Sequence, residues 1–408
     1  MAGMGMVCAG LVLDKVQHWE VFEKVSEVFI LVPALLGLKG NLEMTLASRL
    51  STVAHLGHLD DPKKKWSIIG GNMILVEAQA SVVAFLASLV AMVLGWIPDG
   101  KWETNHALIL CAGSLLTGAI ASGILGAIMI LVIVLSRKCG INPDNVATPI
   151  AASLGDLTTL SLLSGIAQAL YDILLNPSKV WIVWLIIALF LLVTPILVFL
   201  SYRNIYTRDV IQNGWFPILS AMGISSVGGF ILDFAVSNNP GIAVFAPVIN
   251  GVGGNFVAVQ ASRISTHLHK SDYPLGTLPT TKSSDCITPC FLYCGQGNAH
   301  GRSARVMTMM AVPGQLVFLL TIRFLQAGHT SITPQFVIMY LAVSVIQVVV
   351  LLYVCHWLVH RLWRNKEDPD NCAIPYLTAL GDLLGTGLLS LGFLILWTIG
   401  DRDLDVGD

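Results

Sequence analysis

Two aspartates stand inside apolar stretches of the sequence, each in the same local context. Asp156 and Asp382 both lie in a Leu-Gly-Asp-Leu segment. A charged group at the centre of a membrane span costs about 2.5 to 3.5 kcal/mol on insertion scales, so such groups are usually paired or functional. Two carboxylates that face one another repel unless a cation lies between them. The pair therefore predicts a cation site.

Two further repeated segments could supply oxygen ligands to that site. Gly40-Asn41 and Gly254-Asn255 each combine a small residue with a side-chain amide. The glycines favour tight helix packing, and the asparagines suit coordination of a cation or of its water shell. Pro149 and Pro375 precede the aspartates and weaken their helices, so we expect backbone carbonyls to turn toward a lumen.

The other ionisable residues in apolar stretches leave alternatives open. The aspartates could instead pair with Arg49, Arg263 or Lys39 as structural contacts. Lys39 and Glu43 are four residues apart, a spacing that permits a salt bridge, or they could couple transport to a second ion. Glu77 is a single carboxylate and a further candidate for a coupling site.

The cysteine pattern does not indicate a zinc site. Cys286, Cys290 and Cys294 are separated by three residues, whereas structural zinc sites favour CxxC pairs.

The amino-acid composition is typical of a protein that lies in a lipid bilayer. Of 408 residues, 55% are hydrophobic and 12% are charged, against about 25% charged in soluble domains, and the mean hydropathy is +0.74. These values exclude a soluble multidomain enzyme, and a net charge of −2 gives no footprint for nucleic acid. Apolar segments predict eleven helices, at residues 1–17, 28–56, 67–95, 107–135, 147–174, 180–201, 215–236, 242–267, 304–326, 335–359 and 373–399.

The distribution of basic residues predicts the orientation. Most lysines and arginines fall in the loops after even-numbered helices, which places those loops inside, the N-terminus inside and the C-terminus outside. The chain opens directly in apolar sequence without a basic segment, so we expect no signal peptide and a first helix whose start is missing.

The sequence contains an internal repeat. Residues 33–52 match 247–266 with an offset of 214, and residues 143–157 match 369–383 with an offset of 226. A shorter match relates Gly10–Asp14 to Gly229–Asp233. We infer two five-helix units at 1–175 and 215–400, a linker with one membrane helix at 176–214, and an acidic tail at 401–408.

The linker helix decides how the two units are oriented. Five is an odd number, so an additional membrane-crossing helix is needed to insert both units the same way up. The expected architecture is an all-α polytopic membrane protein with two parallel repeats about a pseudo-twofold axis along the membrane normal. The chain would then act as a fused dimer, with equivalent residues lining the axis.

These motifs resemble those of the solute carrier family 41 magnesium transporters and, more distantly, the membrane domain of the bacterial MgtE magnesium channel. The resemblance covers nearly the whole chain and holds in both halves. It implies that Asp156 and Asp382 bind hydrated Mg²⁺, and that the carbonyls of Ala152 and Thr378, one turn earlier, face the same site. Bacterial relatives carry a glutamine after Gly-Asn; Gln260 keeps it here, while Leu46 replaces it.

The resemblance also implies a function and a location. We expect Mg²⁺ transport, coupled to Na⁺ as an exchange, with Mg²⁺ as substrate, no resident cofactor, and membrane lipid as the surroundings. Relatives are placed in the plasma membrane and the mitochondrial inner membrane. A passive Mg²⁺ channel is the alternative, and Mg²⁺ suits the residues because it retains its waters and binds through one or two carboxylates.

Two rival functions come from other classes. The Leu-Gly-Asp segments and Tyr171-Asp172 resemble motifs of intramembrane aspartyl proteases. That family has a glycine three residues before the aspartate, where this sequence has Ser153 and Ala379. The second rival is a membrane subunit that only holds partners together and transports nothing.

Overall fold

The computed structural model describes residues 2–55, 61–100, 103–139, 144–270, 276–277, 292–293, 299–325 and 332–399. The predicted cysteine cluster and the acidic tail lie outside these residues, as do the side chains of Lys39 and Ala152. The α-helices with described bounds are α1 (Ala2–Val16), α2 (Glu20–Lys24), α3 (Val28–His55), α4 (Pro62–Asp99), α5 (Thr104–Lys138), α6 (Asp144–Leu174), α7 (Val180–Arg203), α8 (Arg208–Asn213), α9 (Trp215–Asn238), α10 (Ile242–Lys270), α11 (Ala299–Phe324), α12 (Pro334–Arg364) and α13 (Pro369–Ile399).

Most of these helices match the membrane. Within the described residues, ten helices, α3–α7 and α9–α13, are long and apolar enough to cross a bilayer. The eleven predicted helices correspond to these ten and to α1, which has 15 residues. The short helices α2 and α8 were not predicted. The protein is therefore an all-α multi-pass membrane protein, as its sequence indicated, and the orientation of its termini stays a prediction.

Prolines do not interrupt the helices that carry the aspartates. α6 runs from Asp144 past Pro149, and α13 runs from Pro369 past Pro375 without a break. The Thr378 hydroxyl lies 3.0 Å from the Ile374 carbonyl and 3.1 Å from the Pro375 carbonyl. The carbonyl that Pro375 leaves without a helical donor is the one four residues before it. The Thr378 contacts do not involve that carbonyl, so the expectation that carbonyls turn toward a lumen stays a prediction.

The helices pack in a two-fold pattern. α1 packs against α6 and α10, just as α9 packs against α13 and α3. Likewise α3 contacts α5 and α6, and α10 contacts α12 and α13. These contacts correspond to one another under exchange of α1 with α9, α3 with α10, α5 with α12 and α6 with α13. The domain boundaries drawn from the sequence stay a prediction.

The linker helix lies outside this pattern. α7 packs against α4 and α5, and only three of its residues are buried, so most of its apolar surface faces lipid. The interior of the second half contains an aromatic cluster of Phe245, Phe336, Tyr340 and Phe393, whose ring centroids lie 4.9 to 6.5 Å apart. These contacts fix α10 and α13, the helices that carry half of the candidate site.

Candidate cation site

A cavity of about 70 Å³ lies where the two halves meet. This volume can hold several water molecules. Four of the predicted site residues line it: Asp156, Asp382, Thr378 and Asn255. The remaining lining residues are Met6, Val32, Pro33, Leu36, Gly37, Gly40, Met44, Leu232, Ala246, Pro247, Asn250, Gly251 and Gly254. Both aspartates, the equivalent prolines Pro33 and Pro247, and part of each Gly-Asn segment therefore border one space.

Asp382 is held from two sides. The Ser225 hydroxyl on α9 donates to Asp382 Oδ2 at 3.0 Å. Gly37 on α3 faces the same group, since an added Cβ would lie 2.9 Å from both Asp382 Oδ2 and Ser225 Oγ. Only a residue without a side chain lets α3 approach this carboxylate so closely. Sequence reasoning did not single out Ser225 or this contact.

The half that contains Asp156 lacks a counterpart of the Ser225 hydroxyl. The match of Gly10 to Gly229 makes Met6 the counterpart of Ser225. A Cβ on Gly251, the counterpart of Gly37, would collide with the Met6 side chain. A thioether thus occupies the position where the other half has a hydroxyl donor, so the two carboxylates meet unequal neighbours.

The two asparagines of the Gly-Asn segments also have different partners. Asn41 is buried behind the cavity wall, where its Oδ1 accepts from the Thr378 hydroxyl at 2.5 Å. This bond joins α3 of one half to α13 of the other. Asn255 lines the cavity, and its Nδ2 lies 3.7 Å from Met6 Sδ. Of the two asparagines, Asn255 is among the residues that line the cavity and Asn41 is not. That both coordinate a cation stays a prediction.

One additional carboxylate lies near Asp156. Glu43 is 1% exposed, and its Oε2 would be 3.1 Å from a Cβ on Gly155. Glu77 lies apart, between α4 and α5, where its Oε2 accepts from the Ser122 hydroxyl at 3.0 Å. Of the two glutamates considered for coupling, Glu43 therefore lies beside Gly155, the residue before Asp156, and Glu77 does not.

The two arginines considered as structural partners of the aspartates have no hydrogen bond or salt bridge with them among the described residues. Arg49 Nε donates to Asn72 Oδ1 at 3.1 Å, and Arg263 is exposed. Gln260, which keeps the glutamine that bacterial relatives carry after Gly-Asn, is fully buried and donates to the His300 carbonyl at 3.1 Å. It fastens α10 to α11 and does not line the cavity.

Comparison with known proteins places both halves in one family. The MgtE family model, described as a divalent cation transporter, matches residues 32–166 and 246–392. Solute carrier family 41 member 2 of Xenopus laevis is 55% identical over 410 residues, which span 100% of this chain and 72% of the relative. The Homo sapiens protein of that name is also 55% identical, over 100% of this chain and 71% of the relative. Solute carrier family 41 member 3 of Rattus norvegicus is 44% identical over 98% of this chain and 86% of the relative. No solved structure matches.

Proposed function

Because the chain belongs to the MgtE family of divalent cation transporters and to solute carrier family 41, we propose that it carries Mg²⁺ across a membrane along the axis between its halves. Asp156 and Asp382 would hold the ion. The observation that carries the proposal is the cavity that both aspartates line, with segments from both halves around it.

The chemistry of the cavity suits a hydrated divalent cation. Two carboxylates supply negative charge, and the Thr378 hydroxyl and the Asn255 amide supply neutral oxygens at the same wall. Mg²⁺ sheds its waters reluctantly and is usually bound by one or two carboxylates while several waters remain. A cavity of about 70 Å³ has room for an ion that keeps part of its shell, and the cargo needs no resident cofactor.

The proposal includes coupling to Na⁺, so that Mg²⁺ leaves against entering Na⁺. Unequal surroundings of Asp156 and Asp382 support this, because a passive path on a symmetric axis needs no difference between its halves. The plasma membrane and the mitochondrial inner membrane are the locations to test by fractionation and labelled antibody.

Reconstituted protein tests the proposal directly. Liposomes that enclose a Mg²⁺-sensitive dye would be assayed with and without an opposing Na⁺ gradient, for the unmutated chain, Asp156→Asn, Asp382→Asn and the double variant. Asp172→Asn is the matched control, since Asp172 is an exposed residue of α6 that accepts from Gln168 at 3.0 Å.

The outcomes separate the candidate functions. We expect flux that needs Na⁺, is lost in the axial variants and persists in the control. Flux that ignores Na⁺ would identify a passive channel, and its persistence in the double variant would refute the axial site. A folded chain without flux would favour a subunit that only holds partners together.

A further inference from the structure

A second group of polar side chains lies buried beside Asp382. It comprises Asn250 on α10, Gln347 on α12 and Thr386 on α13, together with Ser344, which precedes Gln347 by three residues and so shares its face of α12. Asn250 is 7% exposed and the other three are at most 1% exposed. None of them is charged. Polar groups at this depth in a membrane protein are costly and usually serve a function.

The nitrogens of the two amides are already used. Asn250 Nδ2 donates to Thr386 Oγ1 at 2.9 Å, and Gln347 Nε2 donates to the Gly381 carbonyl at 2.9 Å. The bond to the Gly381 carbonyl fixes which end of Gln347 carries the oxygen, because a reversed amide would set two oxygens against each other. The Thr386 hydroxyl can donate or accept, so the bond to Asn250 does not fix that amide in the same way.

Two glycines bring the amides together. A Cβ on Gly385 would collide with Asn250 Oδ1 and would lie 2.6 Å from Gln347 Nε2. A Cβ on Gly253 would lie 2.9 Å from Gln347 Oε1. The Gln347 amide is therefore flanked by α10 and α13 at positions where only glycine fits.

Three oxygens of the group are left over. Asn250 Oδ1, Gln347 Oε1 and Ser344 Oγ are buried without a hydrogen-bonding partner among the described residues. An unsatisfied buried polar group costs free energy, so such a group calls for a ligand. A cation is one such ligand, because it can satisfy several neutral oxygens at once and needs no acceptor in return.

The charge of the oxygens selects the class of cation. Ca²⁺ and Mg²⁺ are held through carboxylates, and affinity follows the number of charged ligands. Amide and hydroxyl oxygens without a carboxylate leave the charge of a divalent ion largely uncompensated, so they suit a hard monovalent cation better. We therefore consider Na⁺, the smaller of the common monovalent ions, in this group of close-packed helices.

The group exists in one half only. The offset of 214 gives Leu36 as the counterpart of Asn250, and the offset of 226 gives Ala121 and Leu160 as counterparts of Gln347 and Thr386. The first half builds the same helix packing with apolar residues at these positions. The fold therefore does not require the polar group, and a separate role must account for it.

The group lies next to the axial cavity. Asn250 lines that cavity together with Asp382. Thr386 follows Asp382 by four residues on α13, one helical turn of about 5.4 Å. We propose that Asn250, Ser344, Gln347 and Thr386 form a Na⁺ site beside Asp382, and that Na⁺ bound there opposes Mg²⁺ in the axial cavity. This inference rests on the proposed function and names the place of its coupling ion.

The physical basis of the opposition is simple. A cation bound at the neutral oxygens would lie close to the Asp382 carboxylate and would partly neutralise its negative charge. A divalent cation that then enters the axial cavity meets both a weaker attraction from Asp382 and repulsion from the bound ion. Linkage makes the effect reciprocal, so Mg²⁺ must weaken Na⁺ binding by the same factor.

Binding measurements on the purified full-length chain test the inference without relying on flux. Mg²⁺ would be titrated calorimetrically in Na⁺, K⁺ or choline at equal ionic strength. We expect Na⁺ to weaken Mg²⁺ binding about tenfold, within the usual range of coupling between sites, while K⁺ and choline do not. Gln347→Met should lose this effect and keep its Mg²⁺ affinity in choline.

Two other variants guard against trivial results. Gln315→Met makes the same substitution at a fully buried amide of α11 that accepts from Tyr340 at 2.9 Å, and should retain the Na⁺ effect. Thr386→Val keeps the side-chain shape and should lose it, which covers the case that Gln347→Met does not fold.

The failures of the two proposals can be told apart. A Na⁺ effect of full size in both Gln347→Met and Thr386→Val would overturn the site, as would Mg²⁺ binding that ignores Na⁺ in the unmutated chain. Absence of Mg²⁺ binding would refute the proposed function itself. In that case stabilisation against heat by Na⁺ over K⁺, lost in Thr386→Val, would still support the Na⁺ site, and its absence would reject it.

Discussion

Replacing Gly37 by alanine should displace the carboxylate of Asp382 without removing any polar group. The added Cβ would lie 2.9 Å from Asp382 Oδ2 and from Ser225 Oγ, whereas ordinary contacts begin at about 3.4 Å. One or both groups must therefore move by about 0.5 Å. The added methyl group would contact the carboxylate and its hydrogen-bond donor Ser225, on the neighbouring helix α9, at the same time.

The size of the effect follows from the cost of overpacking. An extra methyl group in a well-packed site costs about 1 to 3 kcal/mol. Each 1.4 kcal/mol is a factor of ten in affinity, so the Kd for Mg²⁺ should rise by about 5- to 150-fold if the strain falls on the bound state. Alanine also favours a helix over glycine by about 1 kcal/mol, which offsets loss of stability but not loss of affinity.

A matched glycine separates these two contributions. Gly223 lies on α9, and a Cβ there would meet nothing within 4 Å. Gly223→Ala therefore gains the same helix propensity without touching Asp382. Calorimetric titration with Mg²⁺, combined with thermal unfolding, would measure both variants. An unchanged Kd in folded Gly37→Ala, or an equal loss in Gly223→Ala, would refute the position we assign to the carboxylate.

Three other perturbations have defined outcomes. Thr378→Val leaves the Asn41 amide oxygen on α3 without this donor, which costs about 1 to 3 kcal/mol. Thermal unfolding should therefore begin at a lower temperature. An unchanged midpoint would argue against the hydrogen bond between the two halves. Burial raises the pKa of Glu27, but the hydrogen bond to His106 at 3.1 Å prevails, and the pKa lies below its ordinary value of 4.5. The stability gained from that lowered pKa is present at pH values above the pKa and is lost as the pH falls through it. His106→Ala should therefore lower the unfolding midpoint at about pH 6 and much less at about pH 3. Equal losses at the two pH values would contradict this. Phe245→Ala should cost about 3 to 5 kcal/mol, whereas Phe216→Ala, at a side chain 74% exposed, should leave the midpoint nearly unchanged, and similar midpoints would contradict the aromatic cluster.

The sequence predicted the helices well for a plain physical reason. A span of about 20 apolar residues is imposed by bilayer thickness, and it leaves a signal in hydropathy that survives errors of several residues at each end. The repeat carried the prediction further, because pseudo-symmetry alone places Asp156 and Asp382 on a common axis. The cavity lined by both residues agrees with that reasoning, although their binding of an ion stays a proposal.

Other features depend on contacts between helices and could not be read from one stretch of sequence. Gln347 lies within a long apolar run, where averaged hydropathy hides a single amide. Its relation to Asn250 requires knowing how α10 and α12 are rotated toward α13. Met6 opposite Ser225 could have been found from the match of Gly10 to Gly229, had that match been extended by four residues toward the N-terminus.

The linker helix α7 has a consequence for how the residues along the axis can change in evolution. Two separate five-helix units would associate at a rate set by their concentration. Two copies of the same unit could then pair with each other instead of with the other unit. A covalent connection instead gives each half a local concentration of its partner that can reach the millimolar range for short linkers. The choice of partner is thereby fixed, so a substitution on one side of the axis need not be repeated on the other. Met6 and Ser225 can differ, and neutral oxygens can collect beside one aspartate alone, because α7 makes the two sides genetically independent positions of a single chain.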